Sequence, residues 1–197
     1  MNFPVLSEPL PIELVNTLYA HRDQLVDGLV APDDLVAWLQ AHASQLEVDV
    51  GSASGERVHE FRELREALRA LFRAIVAHES PPDAATDTLN RMSATAPSFP
   101  QLKWSLPGEP QVTVEYWGDD PASSALAQVA QSAIDLIGRP DRARLRACHA
   151  PGCVLFFLKA HPRREWCSAA CGNRARAARH YRRHRQSGRG EQNKVLV

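Results

Sequence analysis

The stretch Cys148-His149-Ala150-Pro151-Gly152-Cys153, followed by Cys167-Ser168-Ala169-Ala170-Cys171, decides how the last third of this chain folds. It holds all four cysteines, in the pattern C-x4-C-x13-C-x3-C. Two close pairs let two short backbone segments each present two sulfurs, and a tetrahedral Zn2+ takes thiolates at about 2.3 Å. Pro151 and Gly152 suit the turn of a knuckle, while Ser168 suits the N-cap of a helix. Cys167 then precedes that helix and Cys171 sits in its first turn, where the helix N-terminus favours thiolate. Between the pairs, Val154–Leu158 and Arg164–Trp166 predict two strands of a hairpin turning near His161-Pro162. Knuckle, hairpin and ligand-bearing helix make a treble-clef-like zinc finger, with one structural zinc on Cys148, Cys153, Cys167 and Cys171. Free or disulfide-bonded cysteines are the competing reading, and His149 or His161 could replace a ligand. A reducing compartment and a set already complete with four sulfurs favour the all-cysteine site, with both histidines exposed. Such a closed site leaves no position for a reactive water, so the metal is expected to serve folding.

From Ser168 to about Gln186 the chain contains no acid, and six arginines lie between Arg174 and Arg185. At about 100° per residue, Cys171 shares its side with Ala175, Ala178 and, approximately, Arg182. Arg176, Arg179 and Arg183, with His180 nearby, take the opposite side. Unrelieved like charge at helical spacing costs stability. It is the pattern of a surface that a polyanion neutralises, and the guanidinium fork suits phosphate or a guanine edge. A basic solubilising tail is the plainer alternative.

The remaining sequence sharpens this contrast. Residues 1–138 carry 8 basic and 20 acidic side chains, a net of −12, whereas residues 139–189 carry 14 and 2, a net of +12. Two units with different partners are therefore expected, covering 1–138 and 139–186, with 187–197 as a flexible tail. No run of eighteen apolar residues occurs, and Met1–Pro11 lacks the features of a leader, so a cytoplasmic protein without a membrane span is expected.

The N-terminal unit reads as mainly α with a small β-hairpin. Ile12, Leu14, Val15 and Leu18 predict a first helix, Pro32-Asp33-Asp34 starts a second, and Gly51–Gly55 is a loop. Val58, Phe61, Leu64, Leu68, Leu71, Phe72 and Ile75 recur at helical spacing, with arginines and glutamates on a face expected to be solvated. A shorter helix follows Pro81-Pro82. Gln101–Leu106 and Gln111–Trp117 predict a hairpin packed on the helices, and Pro121 opens a last helix ending at Gly138, with Leu126, Val129, Ala133, Ile134 and Ile137 inward.

Cys171-Gly172-Asn173-Arg174, flanked by Arg164-Glu165-Trp166-Cys167-Ser168, resembles the CGNR zinc-finger family across about residues 140–186. Upstream, Ile12–Thr17 and Pro32–Leu39 resemble the ABATE-type domain that precedes this finger. The resemblance implies a stress-associated bacterial transcription regulator with the finger as its DNA-binding part. It also implies that the four cysteines are the ligands and that Gly172 and Asn173 are signature positions. On physical grounds Asn173 is expected to bond the knuckle backbone, and Arg174 to pair with thiolate or phosphate. Asn16-Thr17 is expected to make a hydrogen bond within the core rather than to sense a ligand.

A DNA-binding regulator contacting duplex through Arg174, Arg176, Arg179, Arg182 and Arg183 is therefore the leading expectation. An adaptor finger for protein or RNA is the alternative, since fold does not settle function. No Ser/His/Asp set, G-x-G-x-x-G or P-loop supports an enzyme. A lone finger offers little specificity, which makes a homodimer through the N-terminal helices attractive. An effector for the N-terminal unit remains unnamed.

Overall fold

The structure, a computed structural model, describes residues 3–22 and 24–192, with side chains through Arg183. Its elements run α1 (Leu10–Val15), β1 (Leu18–His21), β2 (Gln24–Asp27), α2 (Pro32–Ala41), α3 (Val58–Ala77), α4 (Asp83–Ser93), β3 (Ser98–Lys103), β4 (Gln111–Tyr116), α5 (Pro121–Gly138), β5 (Leu145–Ala147), β6 (Phe156–Leu158) and α6 (Ala169–Gln192). The strands form three separate antiparallel pairs, β1–β2, β3–β4 and β5–β6.

α3 organises the body. Its apolar stripe buries Phe61, Leu64, Leu68 and Phe72 completely, against Trp38 of α2, Leu14 of α1 and Leu126 and Val129 of α5. α5 starts where Asp120 accepts a hydrogen bond from the Ala122 N–H (3.0 Å), with Pro121 in the first turn, where its missing N–H costs nothing. Its alanines at 122, 125, 130 and 133 are fully buried and bring it close to its neighbours.

Six sequence expectations need correction here. The first helix stops at Val15, and Leu18 opens the β1–β2 hairpin instead. Thr17 turns the chain by bonding the Leu14 carbonyl through its hydroxyl (2.8 Å), so helical spacing ends before Leu18. The charged face of α3 is not wholly solvated. Arg65 and Arg69 are buried, because Asp27 supplies two oxygens to the Arg65 guanidinium and the Val15 carbonyl accepts from Arg69 (3.2 Å). Burial opposes the charge on both partners of the Asp27–Arg65 pair. Their hydrogen bonds still hold Asp27 below the usual carboxyl range and raise Arg65.

The long hairpin begins at Ser98 rather than Gln101. Trp104 bonds the Gly108 carbonyl (3.1 Å) and draws residues 104–106 into the turn. It touches the body mainly at one end, where Ser98 and Tyr116 both reach Gln131, and most of it is exposed. Ile134 of α5 is exposed, one residue off the buried stripe. Among the described residues no helix is long and apolar enough to cross a membrane.

The core does not end at Gly138. Leu145 and Phe156 belong to the apolar core of the body, and the Phe156 ring meets Phe72 edge-on at 5.6 Å. Residues 187–192, expected as tail, continue α6, since no proline interrupts the helix and glycine is tolerated at a cost of about 1 kcal/mol. Residues 193–197 of that expected tail lie outside the described residues.

Candidate metal centre and its arginine helix

The first cysteine pair sits on the turn of a hairpin that differs from the expected one. β6 pairs back onto β5, with Ala147 opposite Phe156, and the ladder extends to Cys148 N–H and the Leu155 carbonyl (2.8 Å). Cys148 to Cys153 is thus the hairpin loop itself, closed by Cys153 N–H to the Ala150 carbonyl (2.9 Å). Gly152 has φ 71° there, a backbone state that favours glycine. Arg164–Trp166 form no strand, because β6 already uses β5 as its partner.

The second pair lies where the Ser168 cap predicts. Ser168 Oγ accepts from Cys171 N–H (3.3 Å) and its carbonyl accepts from Gly172 N–H (3.1 Å). Cys167 is therefore held just ahead of α6 and Cys171 in its first turn. All four Sγ atoms lie within 4.8 Å of one another, with Cys153–Cys167 at 3.8 Å and Cys167–Cys171 at 3.4 Å. Four bonds of 2.3 Å to one tetrahedral ion require sulfurs about 3.8 Å apart, so the set fits a zinc-sized cation.

Crowded thiols set one another's protonation. Hydrogen bonds from Cys153 and Cys167 hold Cys148 down, to about 2. The same contact pushes Cys153 up to about 12 and Cys167 above the thiol range. Only a central positive charge lets all four ionise together.

Arg174 pairs with thiolate, as expected, and also takes the knuckle bond expected of Asn173. Its Nε donates to the Pro151 carbonyl (2.8 Å), and a terminal nitrogen lies 3.2 Å from Cys171 Sγ. The guanidinium thus offsets thiolate charge and ties the helix to the knuckle. Asn173 Oδ1 instead accepts from Arg176. Gly172 lies close under Trp166: a Cβ there would sit 3.0 Å from the indole, which would have to shift by a few tenths of an ångström. His149 and His161 are exposed, as expected.

A polar seam joins this centre to the body. Asn16 bonds both the N–H and the carbonyl of Phe156 (2.9 Å each), completing the free edge of β6 like one residue of a strand. Glu8, buried, accepts from Leu158 N–H (3.0 Å) and Arg164. Arg164 in turn donates to the Leu158 and Cys167 carbonyls and lies over the Phe157 ring. The pairing of Glu8 with Arg164 was not foreseen from the sequence. They lie 156 positions apart, and nothing local marks an acid before Pro9 as buried.

Residues 8–140 match the ABATE family, described as a "putative stress-induced transcription regulator". The chain belongs to the ABATE family. Residues 144–184 of this ABATE protein match the CGNR zinc finger, which covers all four cysteines and most of the described α6. No curated protein matches it. Beyond the metal, the helix of this ABATE protein presents long cations. Ala175 is buried on the finger and Ala178 half-buried, while Arg176, Arg179, His180, Tyr181, Arg182 and Arg183 are exposed. Arg174 is exposed too, but its guanidinium is engaged with the Pro151 carbonyl and Cys171.

Proposed function

We propose that this protein is a DNA-binding transcription regulator whose finger holds one zinc and lays α6 against duplex phosphates. The observation that carries the reading is the exposed run of arginines from Arg176 to Arg183, on a helix anchored at its N-terminal end by the cysteine cluster. Anchoring fixes the direction of the helix, and the excess of arginine over acid from Ser168 to Gln186 favours a polyanion along it. With four sulfurs around it the zinc serves structure, not hydrolysis. In a regulator, the N-terminal body would receive the signal. A cleft of about 450 Å3 between β3–β4 and α5, lined in part by Tyr116, Gln128, Gln131 and Glu47, is where a small effector would enter.

Titrating the zinc-loaded chain with labelled duplex DNA and single-stranded RNA across a salt series tests this. Duplex preference is expected, with a slope of log K on log salt of about −0.9 per phosphate contact. Preference for single strands would transfer the helix to RNA, with exposed Tyr181 as a stacking surface. No nucleic-acid binding would leave the adaptor reading.

A further inference from the structure

α3 ends against the segment that leads into the finger, and a cavity of about 480 Å3 lies between them. Ala74, Ile75 and Val76 from the last turns of α3, with Leu145 of β5, give it an apolar floor. Ala74 and Leu145 are buried, and Ile75 and Val76 pack against the core of the body. Around that floor stand Arg142, Arg146, His78 and Glu79. An apolar pocket of ~300–1,000 Å3 with a few polar groups at its rim has the make-up of a small-molecule site.

The two guanidiniums are held in place, yet no acid neutralises them. Arg142 Nη1 donates to the Ile137 carbonyl (3.3 Å), and Arg146 Nη1 donates to the Ala143 and Leu145 carbonyls (2.8 and 2.7 Å). Among the described residues no carboxylate lies at ion-pair distance from either, Glu79 included. The neighbouring Arg139 and Arg144, by contrast, pair with Asp135 and Asp141. The C-terminal end of a helix ordinarily repels an anion. Here the Ala74 and Ile75 carbonyls are already taken by the N–H groups of Glu79 and His78 (2.9 and 3.3 Å). His78 itself caps α3 at φ 58° and ψ 39°, the left-handed state where glycine is the unstrained choice. The chain places an exposed imidazole there instead, on the wall of the cavity.

We propose that this cavity binds a small organic acid, a carboxylate carried on an apolar or aromatic body. The arginine forks take the carboxylate, for which their planar geometry is suited, and the floor takes the body. Two guanidiniums against the single carboxylate of Glu79 favour an anion over a neutral or cationic ligand of the same shape. The occupant bridges the two family units, because residues 74–79 fall in the ABATE match and residues 145–146 in that of the finger. It touches both the end of α3 and the strand that runs into Cys148. The site is separate from the cleft beside β4, and neither it nor its test depends on nucleic-acid binding.

Isothermal titration of the zinc-loaded full chain with benzoate, 2-naphthoate and decanoate at physiological salt tests the proposal. The neutral 2-naphthylmethanol and inorganic phosphate serve as the body alone and the anion alone. 2-Naphthoate is expected to saturate one site with Kd below about 1 mM and to bind at least about tenfold more tightly than the alcohol. Its amide chemical shifts should concentrate at residues 74–79 and 142–146. Arg142→Gln with Arg146→Gln should abolish the preference for acid over alcohol. His78→Gly relieves the left-handed backbone, so it should melt no lower than the wild type while still binding the acid more weakly. Failure of all three carboxylates to saturate below about 1 mM overturns the proposal, as do equal affinities for acid and alcohol. Shifts centred on the cleft beside β4 would place the ligand there, and inorganic phosphate binding as tightly as 2-naphthoate would leave only an anion patch; either outcome overturns it. Should the double glutamine variant lose stability, the wild-type shifts and the comparison with the alcohol still decide.

Discussion

The body and the finger of this chain are stabilised by different means although Leu145 and Phe156 beside the finger lie in the body's core. The body buries complete side chains such as Trp38, Phe61 and Phe72 and can exclude water by itself. The finger owns only a small cluster around Phe157, Leu155, Ala175 and three buried cysteines, too little to fold a segment of that size. Metal bonds substitute for apolar area there. The difference teaches that a zinc site need not make an independent module. Phe156 is lent to the body, and Asn16 and Glu8 are lent to the finger.

The largest effect should come from the metal. Chelation, or Cys171→Ser, is expected to remove hydrogen-exchange protection from amides 145–183, while the central amides of α3 keep theirs. Because Phe156 of the finger hairpin packs in the body's core, thermal stability of the body should also fall. Body amides that stay at their original protection would mean that the seam carries no energy.

Much of this contrast was legible beforehand. The cysteine spacing picked out the four sulfurs that the fold brings together, and the Ser168 cap placed two of them, because both are local rules of turn and helix chemistry. The apolar period of α3 likewise reports burial directly. Arg65 and Arg69 defeated the same reasoning, since whether a charged side chain is buried depends on Asp27 and on the Val15 carbonyl, which lie far along the chain. The β5–β6 pairing was missed for a related reason. Three-residue strands carry too few alternations to register, and either Arg144–Ala147 or Arg164–Trp166 could have served β6. The thiolate contact of Arg174 was expected, whereas its bond to the Pro151 carbonyl needed distances.

Cutting the seam should rank second. Asn16→Ala leaves the Phe156 N–H and carbonyl buried without partners and is expected to cost about 2–4 kcal/mol. Urea unfolding gives the number. Asn16→Asp should rescue little, since a carboxylate facing the Phe156 carbonyl repels it. A loss under about 0.5 kcal/mol would show that water replaces the side chain.

Third comes the ion pair inside the body. Asp27 is held below the ordinary carboxyl value, so its contribution is fully present above the unfolded-state value near 4 and is lost as pH falls through the lower folded value. Asp27→Asn is expected to lose about 2 kcal/mol at neutral pH and to narrow its gap from the wild type below about pH 4. A constant gap across that range would assign the stabilisation to shape rather than to charge.

The smallest effect lies along α6, and it separates two arginines five residues apart. Arg174 bonds the knuckle and a thiolate, while Arg179 is exposed beyond the finger. Arg179→Ala is expected to leave metal affinity and melting temperature unchanged and to lower duplex affinity a few-fold. Its salt slope should flatten by about 0.9 if one phosphate contact is lost. Arg174→Ala should do the reverse in the first instance: release metal more readily to a competing chelator, with any loss of duplex binding restored by excess zinc. Arg174→Lys keeps the charge near Cys171 but not the planar fork that serves sulfur and carbonyl together, so it should fall between wild type and alanine in metal retention. If Arg179→Ala also loosened the metal, α6 would be coupled to its finger along its length. If Arg174→Ala held zinc normally but failed to bind duplex at saturating metal, Arg174 would belong with the outward arginines, and the division between a supporting and a contacting end of the helix would be withdrawn.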